Sequence, residues 1–189
     1  PELRTGLLKG KKIEKKLEEV FGNTNIEDTK IPLKIVATNI ETSESQVFSS
    51  GKIVTALRAS MSLPGIFIPQ KIDGESYVDG GIMMNLPIEV LDGKNIIAIS
   101  ALKINQGPIE KTKKIIGINF KSGFFKNNYE IIKRSVILMM KVNEDNSLKT
   151  PNKNITFIRP DFGKLDIIDF NKVDEFVEIG YKDAKKLEL

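Results

Sequence analysis

The sequence of 189 residues contains no histidine and no cysteine. Without histidine, the chain cannot build a Ser-His-Asp triad or a histidine-ligated zinc site. Without cysteine, it cannot form disulfides, thiolate nucleophiles or iron–sulfur clusters. A hydrolase built from this chain must therefore use hydroxyl groups, carboxylates, lysines or backbone groups.

Long apolar runs are also absent. The longest dense apolar stretch, residues 96–104, is interrupted by Ser100 and Lys103, and it is far shorter than the roughly 18–20 residues that a bilayer-spanning helix needs. The first residues lack the apolar core of a secretory signal peptide. From these patterns we expect a cytoplasmic protein.

The composition is that of an ordinary globular protein, with 40% hydrophobic and 29% charged residues. The length suits a single domain over residues 1–189. A net charge of +4 is too small an excess to indicate a nucleic-acid partner. Asp73, Asp79 and Asp92 lack the spacing of an EF-hand loop, so we expect no metal, and nothing in the sequence indicates a cofactor.

The spacing of apolar residues alternates between helical and extended patterns. The predicted helices are residues 9–21, 53–62, 86–91, 128–142 and 174–187, and the predicted strands are residues 33–39, 46–49, 76–78, 95–102 and 155–159, with a further short extended piece at residues 65–68. Residues 46–49 are expected to pair with residues 33–39 as a hairpin, and Asp73-Gly74 is expected to form a second hairpin turn. The nearly continuous apolar run at residues 95–102 is typical of a strand buried on both faces. This alternation predicts an α/β fold with a mixed, mostly parallel sheet flanked by helices.

The candidate catalytic residue is Asp79, which directly follows a predicted strand and directly precedes Gly80 and Gly81. The backbone can turn sharply there, and the missing side chains let another backbone or a ligand approach closely. An aspartate at such a position can orient or deprotonate a hydroxyl group. The alternative is an ordinary Asp-Gly turn.

Three motifs surround Asp79. A helix ending in R-A-S-x-S-x-P-G lies at residues 58–65, the D-G-G box is followed by Asn85 and Pro87 in an N-x-P pattern, and K-I-P-L-K-I-V-A-T-N precedes V-F-S-S-G upstream. Together these motifs resemble the patatin-like phospholipase family, in particular its bacterial members. The resemblance continues through I-R-P-D-F at residues 158–162.

The resemblance implies a three-layer α/β fold and a lipid acyl hydrolase that uses a Ser-Asp dyad without histidine. The aspartate of the family's dyad corresponds to Asp79, with Gly80, Gly81 and Asn85 in the supporting loop. The family's nucleophile is the serine of a G-x-S-x-G elbow, which follows a glycine-rich oxyanion loop. Such an elbow exposes the serine hydroxyl and supplies an oxyanion donor.

The sequence departs from this pattern because it contains no G-x-S-x-G, and Gly80-Gly81 is its only adjacent glycine pair. We therefore interpret the chain as the C-terminal portion of a patatin-like domain, without the N-terminal elements of that domain. The nucleophile is expected upstream of Pro1, on a segment that would be the chain's partner, and the 189 residues alone are expected to be inactive. The alternative is a catalytically inactive patatin-like protein that binds lipid or acts as a scaffold.

Two further features have competing interpretations. Ser60 and Ser62 lie close to the D-G-G box in sequence and are candidate replacement nucleophiles, but small residues there would equally let the helix end pack tightly. Residues 121–126 form a basic segment that also contains the aromatic residues Phe124 and Phe125. This segment could make a peripheral membrane contact, or its two rings could fold onto the core.

Overall fold

A computed structural model describes residues 8–104, 123–163, 165, 169 and 171–187, without the side chains of residues 123–130. Its helices and strands alternate along the chain, and two single 3-10 turns lie at Ile26–Asp28 and Ile88–Val90. The elements are α1 (Lys11–Phe21), β1 (Ile35–Asn39), β2 (Glu44–Phe48), α2 (Ile53–Ser60), β3 (Gln70–Ile72), β4 (Glu75–Asp79), α3 (Gly81–Met84), β5 (Asn95–Ile99), α4 (Gly123–Ser147), β6 (Asn154–Ile158) and α5 (Val173–Ala184). The predicted α/β class is confirmed.

The first sheet has four antiparallel strands in the order β2-β1-β4-β3. All five residues of β1 are buried, because β1 lies between two neighbours and under α2. The register places Ala37 of β1 opposite Asp79, the last residue of β4. The predicted pairing of residues 33–39 with residues 46–49 is confirmed by the β1–β2 ladder.

The hairpin between β3 and β4 fixes where Asp79 falls on the sheet. Its turn residues Asp73 and Gly74 have φ values of 51° and 90°, and two consecutive left-handed residues are the hallmark of a type I′ turn. This turn sets the register Ile72↔Glu75 and Gln70↔Tyr77. The predicted Asp73-Gly74 turn is therefore confirmed.

The second sheet is the parallel pair of β5 and β6, in register from Asn95↔Asn154 to Ile99↔Ile158. Its inner face buries Ile96 and Ala98 against Leu86 and Ile88. On its outer face, Ile97 and Ile99 are 52% and 60% exposed. The prediction of a strand buried on both faces is therefore wrong for the described residues, because only alternate residues of β5 are buried.

The two sheets also differ from the predicted mostly parallel arrangement. Three of the four strand pairings among the described residues are antiparallel, and only the β5–β6 pairing is parallel. The physical reason is that short turns join β1 to β2 and β3 to β4, and a short turn can join only antiparallel strands.

Helix α4 spans 25 residues, and its apolar residues fall on two faces. Val136 and Met140 are buried, whereas Ile131, Leu138 and Val142 are at least half exposed. For the segment at residues 121–126 the sequence left open a membrane contact or packing onto the core. Its side chains lie outside the described residues, and its backbone is helical from Gly123. None of the helices in the described ranges combines the length and apolarity needed to cross a bilayer.

Candidate active site

Asp79 is held in place by hydrogen bonds from three separate parts of the chain. Its backbone N–H donates to the carbonyl of Ser62 at 3.1 Å, and its carbonyl accepts from the hydroxyl of Thr38 at 3.1 Å. Its carboxylate Oδ1 accepts from the backbone N–H of Gly81 at 2.8 Å. The segment just after α2, strand β1 and the turn that follows β4 thus jointly fix the backbone and the carboxylate of this residue.

The two glycines after Asp79 are required by close packing and not by an unusual backbone conformation. Gly80 has a helical φ of −64°, but a Cβ at this position would collide with the backbone carbonyl of Val36 in β1. A Cβ at Gly81 would lie 2.8 Å from Asn85 Oδ1 and 3.0 Å from Asp79 Oδ1. As the sequence suggested, the missing side chains let another backbone approach closely.

The carboxylate of Asp79 is poorly solvated. Burial raises its pKa from 3.8 to about 6, while the hydrogen bond from Gly81 opposes this shift with a smaller effect. Burial disfavours the charged form of an acid, and a donor to the carboxylate favours it. A carboxylate with a pKa near 6 can accept a proton at neutral pH and can also return it, which is the property that a general base needs.

Asp79 and Asn85 contribute polar groups to the wall of a cavity of about 560 Å³. The remaining wall is mainly apolar and comes from the segment after α2, the end of β5, α4 and α5, including Leu63, Ile66, Val136, Met140, Phe162 and Phe176. Ile99 and Val177 line the cavity while each remains at least 60% exposed, so the cavity opens to the surface. Its size and apolar lining suit a small organic ligand with a few polar contacts.

Asn85 connects this wall to a buried polar cluster around Glu144, which is 0% exposed. The Asn85 side-chain amide donates to Glu144 Oε2 at 2.8 Å. The hydroxyl of Ser100 donates to the same oxygen, and the Arg159 guanidinium pairs with Glu144 Oε1. Sequence reasoning missed this cluster, although a glutamate four residues after Met140, on the buried face of α4, was a usable signal.

Neither serine proposed as a replacement nucleophile donates a hydrogen bond to the Asp79 carboxylate in the described part of the chain. Ser62 is fully buried, and its hydroxyl donates to the carbonyl of Arg58 at 2.8 Å. Ser60 is the last residue of α2. Among the described residues, no hydroxyl group donates to the Asp79 carboxylate, and the burial of Ser62 favours tight packing as its role.

Comparison with known proteins gives one family match and several relatives. The family model for patatin-like phospholipase matches residues 2–92. An uncharacterized NTE family protein of Mycobacterium tuberculosis is 34% identical over 100 residues, which cover 53% of this chain and 28% of that protein. The lysophospholipase NTE1 of Meyerozyma guilliermondii is 29% identical over 196 residues, covering 97% of this chain and 14% of that protein.

A third relative, the lysophospholipase nte1 of Aspergillus niger, is 29% identical over 183 residues, covering 88% of this chain and 12% of that protein. The chain therefore spans less than a third of the length of these relatives. The family match contains Asp79, both glycines and Asn85, and the longer alignments reach the helices that complete the cavity. These comparisons support the assignment of the chain to the patatin-like phospholipase family.

Proposed function

We propose that the protein hydrolyses acyl esters of lipids with a Ser-Asp dyad in which Asp79 is the base. The serine comes from a segment outside these 189 residues, since no G-x-S-x-G occurs within them. The observation that carries the proposal is the Asp79 carboxylate, which has a raised pKa and lies in the wall of an apolar cavity. The names of two relatives as lysophospholipases support a lipid ester as substrate.

The chemistry follows from the proton affinity of Asp79. As the serine oxygen attacks the acyl carbonyl carbon, Asp79 takes the hydroxyl proton, and the tetrahedral intermediate then expels the alcohol, which receives that proton. Water attacks the resulting acyl-serine ester, again giving its proton to Asp79. Collapse of this second intermediate releases the fatty acid as the serine oxygen takes the proton back. A pKa near 6 suits both directions of transfer.

The open face of the second sheet supports the position that we propose for the missing segment. Parallel sheets are normally covered on both faces, but Ile97 and Ile99 are exposed here, and among the described residues β5 pairs only with β6. Ile99 and Ser100 also line the cavity that contains Asp79. A strand added at β5, with its following helix over Ile97 and Ile99, would bring a serine at the strand end toward Asp79.

We also propose that the lipid reaches the cavity from a membrane surface through a peripheral contact. Helix α4 exposes the apolar side chains of Leu138, Met139 and Val142, and Lys141 lies beside them on the same helix. Apolar side chains next to a cation are typical of helices that lie in a lipid interface. Sedimentation of the intact protein with anionic vesicles, compared with a Leu138→Glu variant, tests this contact.

The test of the dyad compares Asp79→Asn with Asp73→Asn in the intact protein that contains the nucleophile segment. We expect Asp79→Asn to reduce the hydrolysis of medium-chain acyl esters by about 10²- to 10⁴-fold, the usual contribution of a general base. Asp73→Asn is the matched control, because Asp73 lies in the exposed turn of the same hairpin and asparagine tolerates its left-handed φ. Retention of activity in Asp79→Asn would remove Asp79 from the mechanism.

The second candidate function is lipid binding without catalysis. It is favoured by the finding that no described hydroxyl group donates to the Asp79 carboxylate. A fluorophosphonate probe separates the two functions because it reacts covalently with activated serines. Labelling of one serine outside residues 1–189 supports the hydrolase, whereas lipid binding by an intact protein that neither hydrolyses esters nor reacts with the probe supports the binding protein.

A further inference from the structure

We propose that Glu144 is a positioning residue for Asp79, acting through Asn85 and the D-G-G turn. Glu144 lies on α4, and its carboxylate holds the side chain of Asn85 directly against Gly81. The inference rests on the proposed function in one respect, namely that Asp79 is the base whose position matters for catalysis. The contacts themselves are independent of that assignment.

Glu144 contacts the turn through the side chain of Asn85. Asn85 Nδ2 donates to Glu144 Oε2 at 2.8 Å, and Asn85 Oδ1 lies 2.8 Å from where a Cβ of Gly81 would be. Gly81 in turn donates its N–H to Asp79 Oδ1 at 2.8 Å. A continuous series of contacts therefore leads from the buried carboxylate of Glu144 to the candidate base.

One face of α4 contacts the D-G-G turn and the residues that follow it at three places. Met140, Asn143 and Glu144 are spaced i, i+3 and i+4, so they lie on the same side of the helix. The Met140 methyl packs against Gly81, the Asn143 side-chain amide donates to the carbonyl of Ile82, and Glu144 accepts from Asn85. Three consecutive contacts fix the turn from a single rigid helix.

Two further residues hold the carboxylate of Glu144 in place. Ser100, just after β5, donates to Oε2, and Arg159, just after β6, pairs with Oε1. These partners lie 44 and 15 residues away in sequence, respectively, and they anchor α4 to the end of the parallel sheet. The position of the D-G-G turn is thereby tied to the same sheet end that lines the cavity.

Stability alone is a weak explanation for a carboxylate at this position. Val136 and Met140 precede Glu144 on the buried face of α4, so an apolar residue would continue that face. Replacing a buried ion pair with apolar residues of similar volume is often neutral or stabilising. A directional acceptor, in contrast, can fix the amide of Asn85 in one orientation, which an apolar side chain cannot do.

The experiment compares Glu144→Gln with Asp145→Asn in the intact protein. Asp145 is the neighbouring acid on α4, and it pairs with Lys141 at the partly exposed surface. For Glu144→Gln we expect kcat to fall about tenfold to a hundredfold, as for a misplaced catalytic group, with KM changed less than about twofold. Asp145→Asn should keep both values, and Glu144→Asp, which retains the charge, should recover part of the lost kcat.

Hydrogen exchange provides a readout that does not depend on activity. In Glu144→Gln, peptides covering residues 79–85 should exchange faster, while peptides covering β1 and β2 keep the wild-type rate. Wild-type exchange at residues 79–85 in the folded variant would overturn the proposal. Faster exchange there in a protein that hydrolyses no ester even as wild type would preserve the positioning contact and overturn the proposed function instead.

A second variant addresses the case in which Glu144→Gln does not fold. Asn85→Leu has a similar shape and removes only the hydrogen bond between the turn and Glu144, leaving Ser100 and Arg159 in place. We expect the same faster exchange at residues 79–85 and the same loss of kcat. A folded Asn85→Leu protein with unchanged exchange and kcat would also overturn the proposal.

Discussion

The two sheets of this protein are built from similar β-rich sequence but reach different degrees of cover. In the four-stranded antiparallel sheet, every residue of β1 is buried, and the elements that bury it follow within a few dozen residues. In the parallel pair, β5 alternates between buried and exposed residues, although its sequence is nearly all apolar. Strands of similar sequence are thus buried to different degrees, and the outside segment that we propose would account for the exposed face of β5.

The largest expected effect comes from a change at the seam between β1 and β4. Gly80→Ala places a methyl group against the backbone carbonyl of Val36. Because the atoms it meets belong to the backbone of β1 and not to a flexible side chain, they cannot easily move away. We expect a loss of about 3 kcal/mol or more in the free energy of unfolding, since severe overpacking is among the most damaging single changes. Urea unfolding measures this loss.

Gly93→Ala is the matched control for that change. A Cβ at Gly93 has no neighbour nearer than 3.9 Å, so alanine should change the free energy of unfolding by less than about 1 kcal/mol. Equal and small effects of the two substitutions would contradict the close packing of Gly80 under β1.

The sequence predicted well those features that depend on neighbouring residues. The turn at Asp73-Gly74 and the polar turn between β1 and β2 carry their own signals, and the longer helices follow from their periodicity. The helix predicted at residues 86–91 is wrong, because only the 3-10 turn at Ile88–Val90 forms there. The sequence also singled out Asp79, Gly80, Gly81 and Asn85 as one group, and the structure places all four together at the end of β4. Their catalytic and supporting roles remain predictions.

The features that the sequence did not predict depend on distant partners. The Glu144 cluster joins residues from α4, β5 and β6, and neither Ser100 nor Arg159 carries any local sign of its partner. The exposed face of β5 is a second example. A continuous run of apolar residues does not indicate which segment of the chain covers each face of the strand. Helix α3 has only four residues, and a segment of that length is too short to show a helical period in its apolar residues.

A direct test of the contrast between the two faces of β5 uses neighbouring isoleucines. Ile96→Ala removes a buried side chain and should cost about 2–4 kcal/mol in the free energy of unfolding. Ile97→Ala removes a side chain that is half exposed, and it should cost less than about 1 kcal/mol in the 189-residue chain. Chemical denaturation of both variants measures the difference.

The same pair of variants sharpens the comparison when it is measured in the intact protein. If an outside segment covers β5 as proposed, the cost of Ile97→Ala should rise toward that of Ile96→Ala. A cost for Ile97→Ala that stays below about 1 kcal/mol in the intact protein would contradict the proposed cover.

The smallest expected effect is a gain in stability, and it arises at Asp79 itself. Because the folded-state pKa of Asp79 is raised from 3.8 to about 6, ionisation of this carboxyl is less favourable in the folded protein than in the unfolded chain. Its ionisation therefore lowers stability as pH rises through the interval between these two values, and the full cost is present above about pH 6. The cost falls as pH is lowered through this interval, and it disappears well below pH 3.8, where the carboxyl is protonated in both states.

Asp79→Asn should remove this cost, because the amide is neutral at every pH. We expect the variant to be more stable than the wild type by about 1–3 kcal/mol at pH 7.5, with the difference falling below about 1 kcal/mol at pH 4. Unfolding curves of both proteins at the two pH values measure the change. An Asp79→Asn protein that is less stable at pH 7.5 would indicate that the carboxylate is stabilised in the fold, and it would then be a poor candidate for a base kept reactive by burial.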